Sequence, residues 1–201
     1  LGMGMFPGQI PWDVILIIMS AIAAICALQL AGGLDYLVRI AENILRKNPK
    51  HINYLAPTVT YFLTLLAGTG HTAFSMIPVI VEVAKSENIK PSVPLSIAVV
   101  ASQIGITASP VSAAVVAMSG FLEPYGVNYP TLLAICISTT FVAVMITAFI
   151  MSTFANNDLS SDPVYQERLA AGHVAPPREK NTDFALKPGA KTSVLIFLIG
   201  I

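Results

Sequence analysis

Two short stretches hold the residues of this sequence that are best suited to binding a solute. The first is GTGHT at residues 68–72, and the second is TASPVS at residues 107–112. Both combine hydroxyl residues with glycine or proline, which interrupt helices and expose backbone N–H and carbonyl groups to a ligand. We predict a substrate site made of Gly68, Thr69, Gly70, His71, Thr72, Thr107, Ala108, Ser109, Pro110 and Ser112.

The polar side chains in and near these stretches have a second interpretation. Serine and threonine in membrane helices often donate to a carbonyl of their own helix, so each hydroxyl is either a ligand donor or a local partner. His71 could bind a carboxylate, carry a proton or donate to a neighbouring carbonyl. Gln103 precedes the second stretch and faces either the cavity or another helix. The exposed carbonyls of Gly68 and Ala108 would suit a cation, and the coupling ion, H⁺ or Na⁺, stays open.

No catalytic or metal-binding motif accompanies these residues. The sequence has no HExxH, no GxSxG and no pair of acidic residues inside an apolar run, which are the patterns that metalloproteases and hydrolases use. We therefore expect no enzyme, no metal site and no resident cofactor.

The composition indicates that both stretches lie within a membrane. Of the 201 residues, 55% are hydrophobic and 11% are charged, against about 25% charged in soluble domains. Charge is absent from residues 14–33, 52–81, 92–122 and 124–157, and about 20 apolar residues are enough to cross the hydrocarbon core. The formal net charge is zero, so nothing indicates a nucleic-acid partner. We predict an all-α, multi-span membrane protein in contact with lipid.

The uncharged runs and charged patches divide the chain into segments. We predict a span over 14–33, an amphipathic surface helix over 34–48, a re-entrant hairpin over 52–84, a broken span over 93–119, a span over 131–154, a cytoplasmic loop over 155–191 and the start of a further span over 192–201. The amphipathic helix either lies on the membrane or packs on the protein body. Because the sequence starts with Leu1 and ends inside an apolar run, we expect a fragment truncated at both ends.

The hairpin prediction follows from the distribution of lysine and arginine. Basic residues occur in 34–51, 82–92 and 155–191 and are absent from 1–13 and 120–130. Basic loops favour the cytoplasmic side, so the run 52–81 must begin and end inside. Its length corresponds to about 45 Å of helix, which is too short for two crossings. GTGHT then lies at the tip. The alternative is a single broken span, which would place the basic loop 155–191 outside.

The two stretches are predicted to lie at one depth in the membrane. Leu55 to Gly68 corresponds to about 21 Å of helix, and Pro94 to Ala108 to about 22 Å. Ser109 is the expected N-cap of the second half-helix, since proline follows it at the first helical position. Irregular backbone at this depth requires a cover of protein or a water-filled cavity, and two helix N-termini there would suit an anion.

Three stretches also carry a family resemblance. They are AGGLDYLVRIAENILRKNPKHINYLAPTVTYFLTLLAGTGHTAFSMIPVIVEVAK, PLSIAVVASQIGITASPVSAAVVAMSG and GAKTSV. They resemble the anaerobic C4-dicarboxylate transporter (Dcu) family, closest to its DcuA branch. The resemblance implies a multi-pass secondary transporter of the bacterial inner membrane that exchanges or takes up fumarate, succinate, malate and aspartate. It also implies that residues 68–71 are a hairpin tip and 107–110 a helix break, within somewhat less than half of the parent protein.

Two other functions stay open on the residues alone. An antiporter of another anion or cation would use the same architecture, and a non-transporting sensor would bind dicarboxylate at the same site. Whether the protein forms a homo-oligomer is also open, because no motif in the sequence specifies an oligomeric state.

Overall fold

The computed structural model of the protein describes residues 12–70, 72–155, 158–173 and 189–200. These residues are mostly helical, with no β-strand among them beyond an isolated bridge between Ile89 and Asp158. The helices are α1 (Trp12–Leu30), α2 (Gly33–Lys47), α3 (Ile52–Ala67), α4 (Thr72–Ser86), α5 (Ser92–Ile106), α6 (Ala113–Leu122), α7 (Tyr129–Phe154), α8 (Pro163–Ala170) and α9 (Ala190–Gly200). The predicted helical fold class is confirmed.

Helices α3 and α4 form a tight antiparallel hairpin. Gly68 ends α3 in the left-handed conformation at φ 66°, and its N–H donates to the Thr64 carbonyl at 2.8 Å; glycine adopts this conformation without steric cost. At the closed end the Oγ1 atoms of Thr64 and Thr72 lie 3.0 Å apart. At the open end the turn Pro49–His51 contacts α4. The chain therefore returns along α4 to the level at which α3 began.

One apolar cluster holds the hairpin together. Its buried members are Ala41, Leu45, Ile52, Ala56, Val59, Leu63, Met76, Val79, Ile80, Val83 and Ala98. The members from α3 and from α4 recur at spacings of three and four, so each helix presents one apolar face to the other. Full burial of a large aliphatic side chain contributes roughly 1.5–3 kcal/mol, and this face therefore fixes the pairing of the two helices.

Helix α5 runs parallel to α3 and packs closely against it. The Thr60 hydroxyl donates to the Ala98 carbonyl at 3.0 Å, and one turn later Thr64 and Ser102 hydroxyls lie 2.8 Å apart. Both contacts join residue pairs with the same offset, so the two helices rise in the same direction. Gly105 allows the close approach, since a Cβ atom there would lie 3.1 Å from the Tyr61 carbonyl oxygen.

The amphipathic helix α2 packs on the hairpin. It follows the last part of α1 at an angle of 72°, and its residues Ala41 and Leu45 are buried in the hairpin cluster. Arg46 forms an ion pair with Glu82 of α4 at 3.1 Å. These contacts pack α2 against the hairpin, and its position on the membrane surface stays a prediction.

Helix α7 combines length with an apolar surface. By length and composition it is the single unbent helix among the described residues that could cross a membrane, while Ile22–Leu30 and α2 pass the same test only as a bent pair. Val144 and Ala148 are buried against neighbouring helices, whereas Val142 and Ile146 are exposed. The remaining predicted spans stay predictions.

The loop after the hairpin is joined to the segment after α7. Asn88, at φ 57°, donates from Nδ2 to Asp158 Oδ1 at 2.8 Å, and its carbonyl accepts from the Leu159 N–H at 3.0 Å. Lys90 Nζ lies 2.6 Å from Asp162 Oδ2. We call these contacts the loop clamp; it connects the end of α4 with the beginning of α8.

Candidate functional site

The tip of the α3–α4 hairpin is built from backbone groups. After Gly68 the chain passes through Thr69 and Gly70, and α4 starts at Thr72. The Thr72 hydroxyl donates to the Thr69 carbonyl at 3.1 Å, and the Ala73 N–H lies 3.2 Å from the Gly70 carbonyl oxygen. The tip therefore presents irregular backbone directly before a helix N-terminus, where the helix dipole favours negative charge.

The second break, between α5 and α6, has a different helix start from the one predicted. The N-cap of α6 is Ser112, whose Oγ accepts from the Ala114 N–H at 3.3 Å, so the prediction of Ser109 as N-cap is wrong. The Ser109 hydroxyl instead donates to the Leu65 carbonyl of α3 at 2.7 Å. Because the Ser112 N–H also lies 3.2 Å from the Ser109 carbonyl, the chain makes one further turn before the helix begins.

The two breaks are in direct contact through buried hydroxyl groups. Ser102, on α5, donates to the Gly70 carbonyl at 3.2 Å and pairs with Thr64. Ser109 reaches Leu65 at the end of α3. Ser102 and Ser109 are both 0% exposed, and the bonds of Ser102 to Gly70 and Thr64 are buried, so water cannot replace them without rearrangement. The hairpin tip is therefore fixed to the end of α5.

A cavity of about 240 Å³ opens at this junction. Its lining residues are Gly68, Thr69, Gly70, Phe74, Gln103 and Ile106. Among these described lining residues none is ionisable, and their polarity comes from the tip backbone, the Thr69 side chain and the Gln103 carboxamide. Phe74 and Ile106 add apolar surface. Such a site would hold an anion by neutral dipoles and an apolar carbon chain by contact.

The structure separates the ten predicted site residues into groups. Gly68, Thr69 and Gly70 line the cavity. Thr72, Ala108, Ser109 and Ser112 are buried, and the hydroxyl groups of Thr72, Ser109 and Ser112 bond to neighbouring protein groups.

Two of the other predicted site residues, Thr107 and Pro110, are not among the cavity lining residues. The exposed Thr107 donates to the Ile104 carbonyl of its own helix at 2.7 Å, which is the local alternative considered for these hydroxyls. The carbonyl of Pro110 accepts from the Tyr129 hydroxyl. His71 lies outside the described residues.

Three cavity residues were not among the predicted site residues. Gln103 and Ile106 are three apart on α5, and neighbours at this spacing share one helix face, which is the signal that would have added Ile106 beside Gln103. Phe74 lies in the first turn of α4, and no spacing rule linked it to the tip. The sequence had left the direction of Gln103 undecided, and its side chain faces the cavity.

Metal coordination has no support within the described part of the chain. No group of three or more His, Cys, Asp or Glu side chains converges there. Of the described groups at the site, the carbonyl oxygens of the tip are the ones whose chemistry suits a cation.

Comparison with known proteins places the chain in a family. A family model described as "Anaerobic c4-dicarboxylate membrane transporter" matches residues 1–201. The chain belongs to this family. The family resemblance that the sequence motifs carry is thereby confirmed.

Relatives in the anaerobic C4-dicarboxylate transporter family are similar over most of the chain. The C4-dicarboxylate transporter DcuA of Wolinella succinogenes is 70% identical over 201 residues, which is 100% of this chain and 46% of that protein. The DcuA of Escherichia coli K12 is 54% identical over 198 residues, 98% of this chain and 45% of that protein. The anaerobic transporter DcuB of E. coli O6:H1 is 40% identical over 169 residues, 82% of this chain and 38% of that protein.

The chain thus spans less than half the length of the family relatives it matches. Identity to the DcuA proteins exceeds identity to this DcuB protein, in agreement with the resemblance to the DcuA branch. No solved structure matches the chain.

Proposed function

We propose that this chain is part of a secondary transporter that exchanges or takes up C4-dicarboxylates across the bacterial inner membrane. The observation that carries the proposal is the contact between the hairpin tip and the end of α5, with a partly polar cavity between them. Relatives at 54–70% identity are named as C4-dicarboxylate transporters. A dicarboxylate suits the cavity because it has two anionic ends and an apolar centre.

The membrane arrangement is part of the same proposal. The α3–α4 hairpin enters from the cytoplasmic side and returns to it, while α5 and α6 form a broken span whose break contacts the tip. The Arg46–Glu82 ion pair and the loop clamp lie at the open end of the hairpin. Charged groups are stable at the water-facing edge and costly in hydrocarbon, which supports placing this end at the cytoplasmic surface.

Substrate binding is proposed at the tip and not at the second break. Residues 68–70 line the cavity, and Phe74 in the first turn of α4 lines it as well, so one carboxylate binds at the tip backbone. Ser109 is fully buried, and its hydroxyl holds Leu65. Transport then proceeds by alternating access, with H⁺ or Na⁺ as the coupling ion.

The experiment is counterflow in proteoliposomes that contain the full-length protein. Vesicles loaded with unlabelled fumarate should accumulate labelled succinate, and an inorganic anion such as sulfate should not compete. Imposed Na⁺ and H⁺ gradients identify the coupling ion. Movement of sulfate or sodium without dicarboxylate would identify another antiporter, while dicarboxylate binding without counterflow would identify a sensor.

A further inference from the structure

The cavity at the hairpin tip contains one side-chain amide, that of Gln103. A carboxamide offers two N–H donors and a carbonyl acceptor. The Gln103 side chain is exposed to the cavity, and within the part of the chain that the structure describes it forms no hydrogen bond. An amide at membrane depth without a protein partner needs water or a ligand, so Gln103 is available to whatever fills the cavity.

Gly70 provides the space in which the Gln103 amide lies. A Cβ atom built on Gly70 would lie 2.6 Å from Gln103 Nε2 and 3.2 Å from its Cδ. Gly70 is not among the glycines with a left-handed backbone, so its conformation is open to other residues. The absent side chain, and not the backbone angle, is therefore what the carboxamide requires.

Ser102, the residue before Gln103, fixes the position of Gln103 relative to the hairpin tip. Ser102 is 0% exposed and bonds to both the Gly70 carbonyl and the Thr64 hydroxyl. Because these contacts fix the α5 backbone beside Gly70, the side chain of the next residue starts from a defined point. The carboxamide is thus held over the same backbone where a carboxylate is proposed to bind.

We propose that Gln103 contacts the substrate directly, with an Nε2–H group donating to a carboxylate oxygen. This inference rests on the proposed dicarboxylate transport and names a further residue of that site. A neutral donor suits a transporter, because an emptied site leaves no unpaired charge in a low-dielectric environment. The amide is rehydrated when the substrate leaves, which keeps the release step accessible.

The test is the KM for succinate counterflow by the full-length protein carrying Gln103→Ala or Gln103→Glu. Loss of a hydrogen bond to a charged group predicts a KM raised about tenfold or more for Gln103→Ala. Gln103→Glu has nearly the same shape and should raise KM further, because its carboxylate repels a dianion. The matched control is Gln29→Glu, an exposed glutamine of α1 that does not line the cavity, and its KM should stay within about twofold.

A double substitution separates direct contact from general disturbance of the tip. Gly70→Ala alone should raise KM, because the new Cβ displaces the carboxamide. In a Gln103→Ala background the same change should have little further effect, and such non-additivity is the mark of two residues acting through one contact. KM is independent of the amount of protein inserted, and thermal unfolding of each variant checks its fold.

Three results would overturn the proposal. The first is wild-type KM for both Gln103 variants while the unaltered protein exchanges dicarboxylate, which leaves the proposed function intact. The second is a fully additive effect of Gly70→Ala in the double variant. The third is absence of any dicarboxylate exchange by the unaltered protein, which removes the proposed function as well.

Discussion

The Ser102 hydroxyl donates a hydrogen bond to the Gly70 carbonyl oxygen at 3.2 Å, and it thereby ties α5 to the tip of the hairpin. Ser102 and Gly70 are 32 residues apart in the chain. Gly70 lies in the hairpin tip, and Ser102 lies on α5, shortly before the second break. The contact converts two separate irregular segments into one structure with a cavity beside it. The following predictions test how much of the site depends on this arrangement.

Replacing Ser102 with alanine should destabilise the protein and weaken transport. The change removes the bonds to Gly70 and to the Thr64 hydroxyl, and the loss of such buried bonds costs about 1–3 kcal/mol. The measurement is the thermal unfolding midpoint in detergent together with the succinate counterflow rate. The control is Ser96→Ala on the same helix, an exposed residue whose hydroxyl bonds only to the Val93 carbonyl. Equal stability of the two variants would contradict the assigned role of Ser102.

Enlarging Gly105 should separate α3 from α5. A Cβ atom there would meet the Tyr61 carbonyl oxygen at 3.1 Å and Thr64 Cβ at 3.3 Å. Gly105→Ala requires a small shift, while Gly105→Leu overpacks the interface at a cost of about 1–3 kcal/mol or more. The unfolding midpoint should fall in the order glycine, alanine, leucine. An unchanged midpoint for the leucine variant would mean that the two helices do not pack this closely.

Cysteine labelling should distinguish the two breaks. In a background with Cys26→Ala and Cys136→Ala, Thr69→Cys should react with a small thiol reagent and be protected by fumarate, because Thr69 lines the cavity. Ser109→Cys should react little with or without fumarate, since Ser109 is buried. Protection of both positions to the same extent would indicate that the second break also opens to the substrate. Absence of protection at position 69 would count against the tip as the binding site.

The loop clamp should weaken in acid. Hydrogen bonds from the Ser160 side chain and backbone, and from Asn88, hold the pKa of Asp158 below its usual value, and the Lys90 ammonium does the same for the pKa of Asp162. A carboxyl group with a lowered folded-state pKa contributes stability that is complete above its ordinary pKa and is lost as pH falls through the folded value. The measurement is hydrogen exchange of the Leu159 amide, which bonds to the Asn88 carbonyl.

The control for the clamp is Asp158→Asn, which removes one of the titrating groups. At neutral pH the Leu159 amide should be less protected from exchange in this variant than in the unaltered chain. Acid should also reduce that protection less in the variant. If the unaltered chain kept the same protection through the carboxyl titration range, the clamp would not depend on these two carboxylates.

Local patterns indicated most of the helices and both interruptions, because apolar runs, glycine, proline and capping residues act on the chain over one or two turns. They did not indicate α8, which lies inside the segment predicted as the loop 155–191; the membrane placement of the segments stays a prediction. The motifs also predicted the family, since its signature is read from consecutive residues. GTGHT interrupts the helix because Gly68 adopts a backbone angle that suits glycine.

Partners across helices could not be read from the sequence. Arg46 pairs with Glu82 of α4, although Glu42 stands one turn away on its own helix, and Ser109 bonds to Leu65 where local rules predicted an N-cap. Spacing along one helix leaves several partners open, and the packing of a second helix selects among them.

The sequence by itself determined that this protein is helical, apolar and broken at two polar sites, because those properties depend on neighbouring residues. The tertiary structure decided which groups of each break face the cavity. Parallel packing of α3 and α5 turns Ser102 and Ser109 inward to hold the tip, and it leaves Gln103 and the backbone of residues 68–70 beside the cavity. A hydroxyl buried between two helices forms its hydrogen bonds with protein groups. The exposed Gln103 amide and the backbone of residues 68–70 are therefore left for a ligand.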